Sequence, residues 1–388
     1  MKKCIVRQFL NFIVVLLFIL NVSCNKTASD KTISVAVQAD SLAKVEIVAE
    51  INAPDPDMSG IVVTDDGRIF LTFPRHADNH KEFSLAEYKD GKLIPFPNKE
   101  MTYPSDKQFD QWLVSPHGMT LDDKGNIWVI DDGKRAGVTG IPEGAAKVVG
   151  FDPKNGHVIK TIVINASALR QDSHLNDLRV DLAEGKEGIV YVTNSSFGHI
   201  GSLVVIDIST GKSREVLADH ISTQPQKGYM AFLEGEARVY DPENVSLPSG
   251  GVDGIALSGG RVFWTSITGR GLYSIQSGIL SDFSKSESDI ENAVKYEGER
   301  PACDGLAEDK YGNIYFGAYE QMALVKRNSK GHYTTLARDQ RFGWPDGLFY
   351  AKNGYLYVTL GQWNRLPGFN GGKDLRERPY LVARIKVV

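Results

Sequence analysis

One short pattern recurs along this chain and limits what it can fold into. A polar residue and a glycine open an apolar run, a Gly/Asn-rich turn follows, and a second apolar run closes the unit. The plainest copy is Asp304-Gly305-Leu306-Ala307, which leads through Asp309-Lys310-Tyr311-Gly312-Asn313 to Ile314-Tyr315-Phe316. Two β-rich runs about such a turn are a hairpin signal. Other copies open at Ser59-Gly60, His117-Gly118, Asp253-Gly254 and Asp346-Gly347, with a looser one at Asn176-Asp177. From Gly60 through Gly118, Asp177, Gly254 and Gly305 to Gly347 the steps are 58, 59, 77, 51 and 42 residues. Hairpins repeating at about 40–50 residues are the mark of propeller blades, each a four-stranded sheet around a channel. Six hairpins predict an all-β, six-bladed β-propeller.

The ends of the chain fit that ring. Lys44 to Ile51 alternates polar and apolar as a half-buried strand does, yet it precedes the first hairpin and has no blade of its own. Tyr380 to Val387 is also strand-like. Setting the N-terminal strand on the outer edge of the last blade, beside the C-terminal one, closes the ring and removes a free edge. The propeller domain is thus expected over residues 44–388.

Residues 1–23 read as a signal peptide. Lys2, Lys3 and Arg7 form a basic start, Phe9 to Leu20 is an apolar core, and Ser23 is a small residue before Cys24. Leu20 to Cys24 resembles a bacterial lipoprotein box, with Asn21 where an aliphatic residue is usual. Cys24 would then be the lipidation site of an exported, membrane-anchored lipoprotein in the periplasm or at the cell surface, and 25–43 a polar tether. Ordinary secretion, with Cys24 discarded, is the other reading. Cys303 is the one cysteine left in the domain, so core burial rather than a disulfide framework must hold it. The 44 Lys and Arg against 48 Asp and Glu leave a net charge of −4, and −7 once Lys2, Lys3 and Arg7 leave. A mildly acidic domain with no basic stripe argues against nucleic acid. A monomer that meets the membrane through its lipid alone is expected.

The period lengthens at Asn98–Ser115, Asp219–Gly251 and Leu280–Arg300, and long loops of this kind tend to be functional. The first two end just before a new innermost strand, which places them on the face where those strands start. Innermost strands begin at the channel mouth, so Ser59, His117, Asn176, Asp253, Asp304 and Asp346 should converge there, with Asp177 adjacent. Asn176, Asp253, Asp304 and Asp346 could hold one hard divalent cation, Ca²⁺ or Mg²⁺, through oxygen. The competing reading makes each Asp-Gly a turn cap with its glycine packed at the axis. His117 is the candidate catalytic base, or else a packed imidazole bonded to a carbonyl; His174 lies close enough to share the mouth. Ser59, Arg75, Asn176, Asp177, Arg179 and Trp344 are candidate ligand contacts, with Trp112, Arg270 and Trp363 as further wall. Cys303 reads as a small buried hydrophobe. Asp131 to Lys134 and Thr193 to Ser196 end second strands and are expected as turns on the opposite face. No Ser-His-Asp set, zinc signature, P-loop or dinucleotide fingerprint appears in the right context.

Thr72-Phe73-Pro74-Arg75, Ser115-Pro116-His117-Gly118-Met119, Leu175 to Asp181, Asp253 to Ser258 and Trp344-Pro345-Asp346-Gly347-Leu348 occur in that order. Together they resemble the major royal jelly protein / Yellow family, including its bacterial members related by name to dopachrome tautomerase, over about Ser59 to Val388. The resemblance implies a six-bladed propeller. It extends distantly to the gluconolactonase and senescence-marker-protein propellers, which hold a divalent cation in the channel mouth. Those enzymes carry a Glu at the opening of the first blade, where this chain has Met58-Ser59-Gly60; the missing carboxylate weighs against lactonase chemistry. Insect relatives are stabilised by disulfides that this chain cannot form. Three classes of function remain open: a small-molecule enzyme at the channel mouth (a metal-assisted hydrolase of lactonase type, or an isomerase), a non-catalytic small-ligand-binding propeller, and a protein–protein interaction module.

Overall fold

The computed structural model describes residues 42–196 and 200–387. The leader, Cys24 and most of the tether lie outside these residues. The described chain forms six four-stranded antiparallel sheets and one two-stranded hairpin, and the sheets stand in a ring as a six-bladed β-propeller. The innermost strands are Ile61–Val63, Pro116–Leu121, Leu175–Asp181, Val252–Ser258, Leu306–Glu308 and Pro345–Tyr350. They belong to blades 1 to 6 in chain order.

The closure is the one expected. Val45–Ile51 pairs antiparallel with Tyr380–Lys386, which continues through Tyr355–Leu360 to the innermost strand of blade 6. The first and last strands of the domain thus lie hydrogen-bonded in one sheet, and no blade is left incomplete.

Local chemistry explains the hairpins. Their turns need a residue in the left-handed region, supplied by Gly125 (φ +81°) and Gly312 (φ +84°). Asp122 accepts from the backbone N–H groups of Lys124 and Asn126 and from the Trp128 indole. Asp309 does the same for Tyr311 N–H, Asn313 N–H and the Tyr315 hydroxyl. Each turn is thereby tied to an aromatic of the second strand.

The apolar core is not one mass. Each blade packs its apolar face on the next, as when Trp128, Val148 and Ile162 of blade 2 meet Leu178, Val190 and Val204 of blade 3. Blade 6 closes on blade 1 through Ile51, Tyr357 and Val382 against Ile61, Leu71 and Phe73. A separate cluster including Tyr229, Leu247, Tyr319 and Trp344 caps the mouth.

At the axis the blades approach closely because five openings lack a Cβ. A Cβ on Gly60 would lie 2.7 Å from the His117 carbonyl oxygen, on Gly118 2.6 Å from that of Asn176, and on Gly254 2.5 Å from that of Asp304. On Gly305 it would meet the Asp346 oxygen at 2.1 Å, and on Gly347 the Ser59 oxygen at 2.3 Å. Each glycine therefore packs on the carbonyl of the residue that precedes the next blade's equivalent position. The glycines are architectural, as one of the two readings had it.

A four-stranded antiparallel blade that starts at the mouth returns to it at the end of its second strand, the start of its third and the end of its fourth. Asp219–Gly251 accordingly lies at the mouth and carries the hairpin Met230–Leu233/Glu236–Val239. Leu280–Arg300 joins the third and fourth strands of blade 4, holds the helix Glu287–Ala293, and includes the fourth strand itself, Lys295–Glu299. The same reasoning overturns one expectation. Asp131 to Lys134 and Thr193 to Ser196 follow second strands, so they belong to the mouth.

The glycine contact is directly testable. Gly305→Ala should destabilise the domain by about 3 kcal/mol, at the upper end of ordinary overpacking costs. Gly368→Ala, where a Cβ meets nothing within 4 Å, should be near neutral. Chemical denaturation of the two variants checks this, and equal stabilities would remove the axial packing argument.

Candidate active site

The residue before each axial glycine is the one the ring aims into the mouth. Strand pairing slips at these openings, between Pro116 and Met119, Leu175 and Leu178, Val252 and Ile255, and Pro345 and Leu348. In blades 1 and 5 regular pairing begins only after the dipeptide. Bulges of this kind re-aim a side chain out of the pleat. His117, Asn176, Asp253, Asp304 and Asp346 consequently line one cavity of about 280 Å³. Ser59 lies just beneath, at a narrow waist shared with Asn176, Asp177 and Asp346.

Two unlike walls face this cavity. Blades 4, 5 and 6 supply carboxyls. Asp253 Oδ2 accepts from Asn176 Nδ2 at 2.7 Å and from the Ser195 hydroxyl at 3.0 Å. Asp304 accepts from the Trp344 indole N–H, and Asp346 from that of Trp363 at 2.7 Å. Burial raises all three pKa values. Asp253 is pushed up to about 7 despite its bond to Asp304. Asp304 and Asp346 rise well above the usual range, by burial first and by a neighbouring carboxylate second. Asp253 and Asp304 are thus a hydrogen-bonded pair that retains a proton where a lone carboxyl would lose it. Trp344 stacks on Tyr319 with centroids 4.2 Å apart and holds φ +58°. That conformation is strained for a bulky residue, and it sits where the indole meets Asp304.

The first three blades supply imidazoles. His76 follows the second strand of blade 1, His117 opens blade 2, and His174 leads into blade 3. Ring centroids lie 4.9 Å apart for His76–His117, 4.7 Å for His76–His174 and 5.1 Å for His117–His174. His117 Nδ1 is 3.2 Å from the Asn176 carbonyl oxygen. His174 Nδ1 is 2.8 Å from Asp132 Oδ2, and Asp132 Oδ1 accepts from Lys134 N–H at 2.8 Å. Burial, the largest cause, lowers each imidazole: His117 to about 3, His76 and His174 well below the ordinary value. Burial thus disfavours the charged form of all three rings.

The rim is apolar, formed by Tyr240, Val245 and Pro248 of the long insertion and by Trp363, Leu366 and Phe369 of the last blade.

Several candidates lie elsewhere. Arg75 is fully buried as a strut: its guanidinium donates to the carbonyls of His80, Leu113, Val114, Glu82 and Thr102, and Trp112 lies 5.8 Å from it. Arg179 points into the far half of the channel. It donates to Glu308 at 2.9 Å, to Asp177 at 3.0 Å and to the Leu306 carbonyl at 2.6 Å, beside a second cavity. Each strand residue advances about 3.3 Å, so Arg179, three residues further down the innermost strand than Asn176 and beyond a bulge, leaves the mouth. Arg270 pairs with Glu320 at 2.8 Å. Cys303 is buried, with its thiol pushed up to about 12, and is inert. His76, Asp132 and Ser195 escaped the sequence reading: His76 had no repeat position to mark it, and the other two were assigned to the wrong face.

The raised carboxyls imply a pH signature. For Asp253, 3.8 is the ordinary value and about 7 the native one. Below this window both folded and unfolded states hold the proton; within it the unfolded chain alone releases it, so native stability falls as pH rises from 3.8 to about 7. Asp253→Asn should flatten that fall in chelator-treated protein, read by urea denaturation at several pH values. Parallel curves would mean that Asp253 ionises normally.

A model of the family "Major royal jelly protein" matches residues 114–375. No curated protein sequence gives a significant match. Among solved structures, a luciferin-regenerating enzyme superposes with a TM-score of 0.52 at 11% identity, over 89% of this chain and 96% of its own. A putative gluconolactonase gives 0.51 at 12%, over 88% and 92%. A calcium-binding protein, regucalcin, from Agrobacterium tumefaciens gives 0.50 at 11%, over 88% and 96%. At such identities these structures share the fold alone.

Proposed function

The chain belongs to the major royal jelly protein family, and from that premise we propose that its channel mouth is an acid–base site acting on a small cyclic substrate. One observation carries the reading. A carboxyl pair whose protonated form burial favours and a group of imidazoles whose charged form burial disfavours line the same cavity, beneath an aromatic and aliphatic rim. Asp253 and Asp304 are placed to donate a proton, and His117 to accept one, with Asn176 between the two walls. Moving a proton between two atoms of one bound molecule is isomerisation; delivering one to a leaving oxygen while a base activates water is hydrolysis. A substrate with a flat ring suits the rim, and about 280 Å³ lies near the lower end, about 300 Å³, of small-ligand pockets. Lactones, and cyclic enones or quinones, are the classes to assay; one neighbour in fold is named as a putative gluconolactonase.

A divalent cation fits the chemistry of the donor set, through either wall. Bound there, it would polarise a substrate carbonyl or lower the pKa of water. Asn176, Asp253, Asp304 and Asp346 offer oxygen, although one oxygen of each carboxyl already serves a hydrogen bond.

Turnover of such a panel should be measured for wild type and Asp304→Asn. The variant should keep KM within a few-fold and lose about 10²–10⁴ in kcat, the usual share of general acid–base catalysis. A compound that saturates the mouth and returns unchanged would select the binding-propeller reading instead.

The same proposal includes export as a lipoprotein, supported by the order of charge, apolar core and Ser23-Cys24 in the leader. Metabolic labelling with a palmitate analogue should tag the wild type and not Cys24→Ala. Equal labelling would end it.

A further inference from the structure

We propose that His76, His117 and His174 form a binding site for one d-block divalent cation of the zinc class, with its open position facing the mouth cavity. The inference rests on the small-molecule reading only for what fills that open position; the site itself stands on the three imidazoles.

One ring nitrogen from each histidine lies within 4.8 Å of the other two. A tetrahedral ion about 2.0–2.1 Å from each nitrogen wants them about 3.4 Å apart, so small ring rotations complete the set. The three side chains hang from three neighbouring blades of one rigid ring, by a connection, an innermost-strand bulge and a second connection. Such mounting favours a defined geometry.

The rear of the rings matches what imidazole ligation needs. A backbone carbonyl can only accept, so the Asn176 oxygen 3.2 Å from His117 Nδ1 assigns a proton to that nitrogen and leaves Nε2 with its lone pair. The Asp132 carboxyl lies 2.8 Å from His174 Nδ1, behind the second ring, and is itself fixed by Lys134 N–H. A carboxylate behind a ligating histidine orients the ring and raises its basicity.

Ligand type chooses the ion. Imidazole suits zinc, cobalt, nickel, copper and iron, whereas calcium and magnesium require oxygen. On the opposite wall Asp253 is bonded to Asn176, Ser195 and Asp304, and Asp346 to Trp363. Those carboxyls are committed to one another and to indoles, while the nitrogens are gathered. Among the described residues the cluster offers three nitrogens, and three protein ligands with a further position for water or substrate is the arrangement of catalytic zinc sites. His117 then becomes a ligand, and the base at the mouth becomes whatever occupies the fourth position.

The test uses the full-length protein, stripped with a chelator and titrated with Co²⁺ as a visible reporter and with Zn²⁺ by calorimetry. One equivalent of Co²⁺ should bind and give the visible absorption of a nitrogen-ligated tetrahedral ion, and Zn²⁺ should displace it. His76→Gln should weaken Co²⁺ at least 100-fold, and Asp132→Asn, at a positioning residue, by 10–100-fold. Asp304→Asn should leave Co²⁺ affinity within a few-fold. Metal-free melting curves show which variants fold; should a histidine variant fail to, X-ray absorption of the wild-type Co²⁺ complex still counts nitrogen neighbours directly. The proposal is overturned by folded wild type that binds no Co²⁺, by an oxygen-only shell, or by binding lost in Asp304→Asn but kept in His76→Gln. Stoichiometric nitrogen-bound metal with no turnover of any substrate would sink the enzymatic reading and leave this one standing.

Discussion

The contact between each axial glycine and the next blade's carbonyl is the constraint on which this molecule depends. Six sheets can share one axis only if their innermost strands come within backbone distance, and a Cβ on Gly305 or Gly347 would lie 2.1 or 2.3 Å from the oxygen it meets. The looser third copy has Asp177 in place of glycine, and its carboxylate turns to Arg179. Because each carbonyl belongs to the residue before the next blade's equivalent position, the packing device and the site are consecutive residues of one dipeptide. The architectural and functional readings of the Asp-Gly repeats are therefore not rivals. The glycine closes the ring, and the closure presents its predecessor to the mouth.

That placement explains the electrostatics. A ring closed this tightly buries the side chains at the openings, and unpaired charge there is costly. The chain answers with neutralisation rather than with cations: Asp253 and Asp304 share a hydrogen bond, and indole N–H groups meet Asp304 and Asp346. Arginine, the usual partner of buried carboxylates, is used elsewhere. Arg75 holds five carbonyls together under the mouth, and Arg179 serves the far half of the channel with Asp177 and Glu308. An arginine at the mouth would favour the ionised form of these carboxyls.

The ring, its count of blades and its closure by Val45–Ile51 were legible in the sequence because they follow from periodicity and from strand alternation at the two ends. The five mouth residues His117, Asn176, Asp253, Asp304 and Asp346 were legible for the same reason, each preceding a repeat marker. Arg75 and Arg179 misled because a motif shows that a residue is present, not which way its side chain leaves the backbone. A bulge between Leu175 and Leu178 decides the matter for Arg179, and bulges leave no mark in hydropathy. His76 and Asp132 belong to connections between second and third strands, where no repeat exists to align them. No local metal spacing could reveal the imidazole group, since 41 residues separate His76 from His117 and 57 separate His117 from His174. They meet only once three blades stand side by side.

The distribution of donors around the axis is the last consequence. A six-fold repeat offers six equivalent openings, yet here the first three blades bring imidazoles and the last three bring carboxyls, with Asn176 hydrogen-bonded across the boundary to Asp253. Repetition of the dipeptide cannot produce this polarity, because packing at the axis constrains only the glycine and leaves its predecessor free to vary. Residues outside the repeat sharpen it: His76, His174 and Asp132 reinforce one half, Trp344 and Trp363 the other. Across the axis, gathered imidazole nitrogens face carboxyls whose protonated form burial favours. A symmetric ring could bind an ion on its axis; a ring split in this way can also tell one end of a small molecule from the other, which acid–base chemistry on that molecule requires.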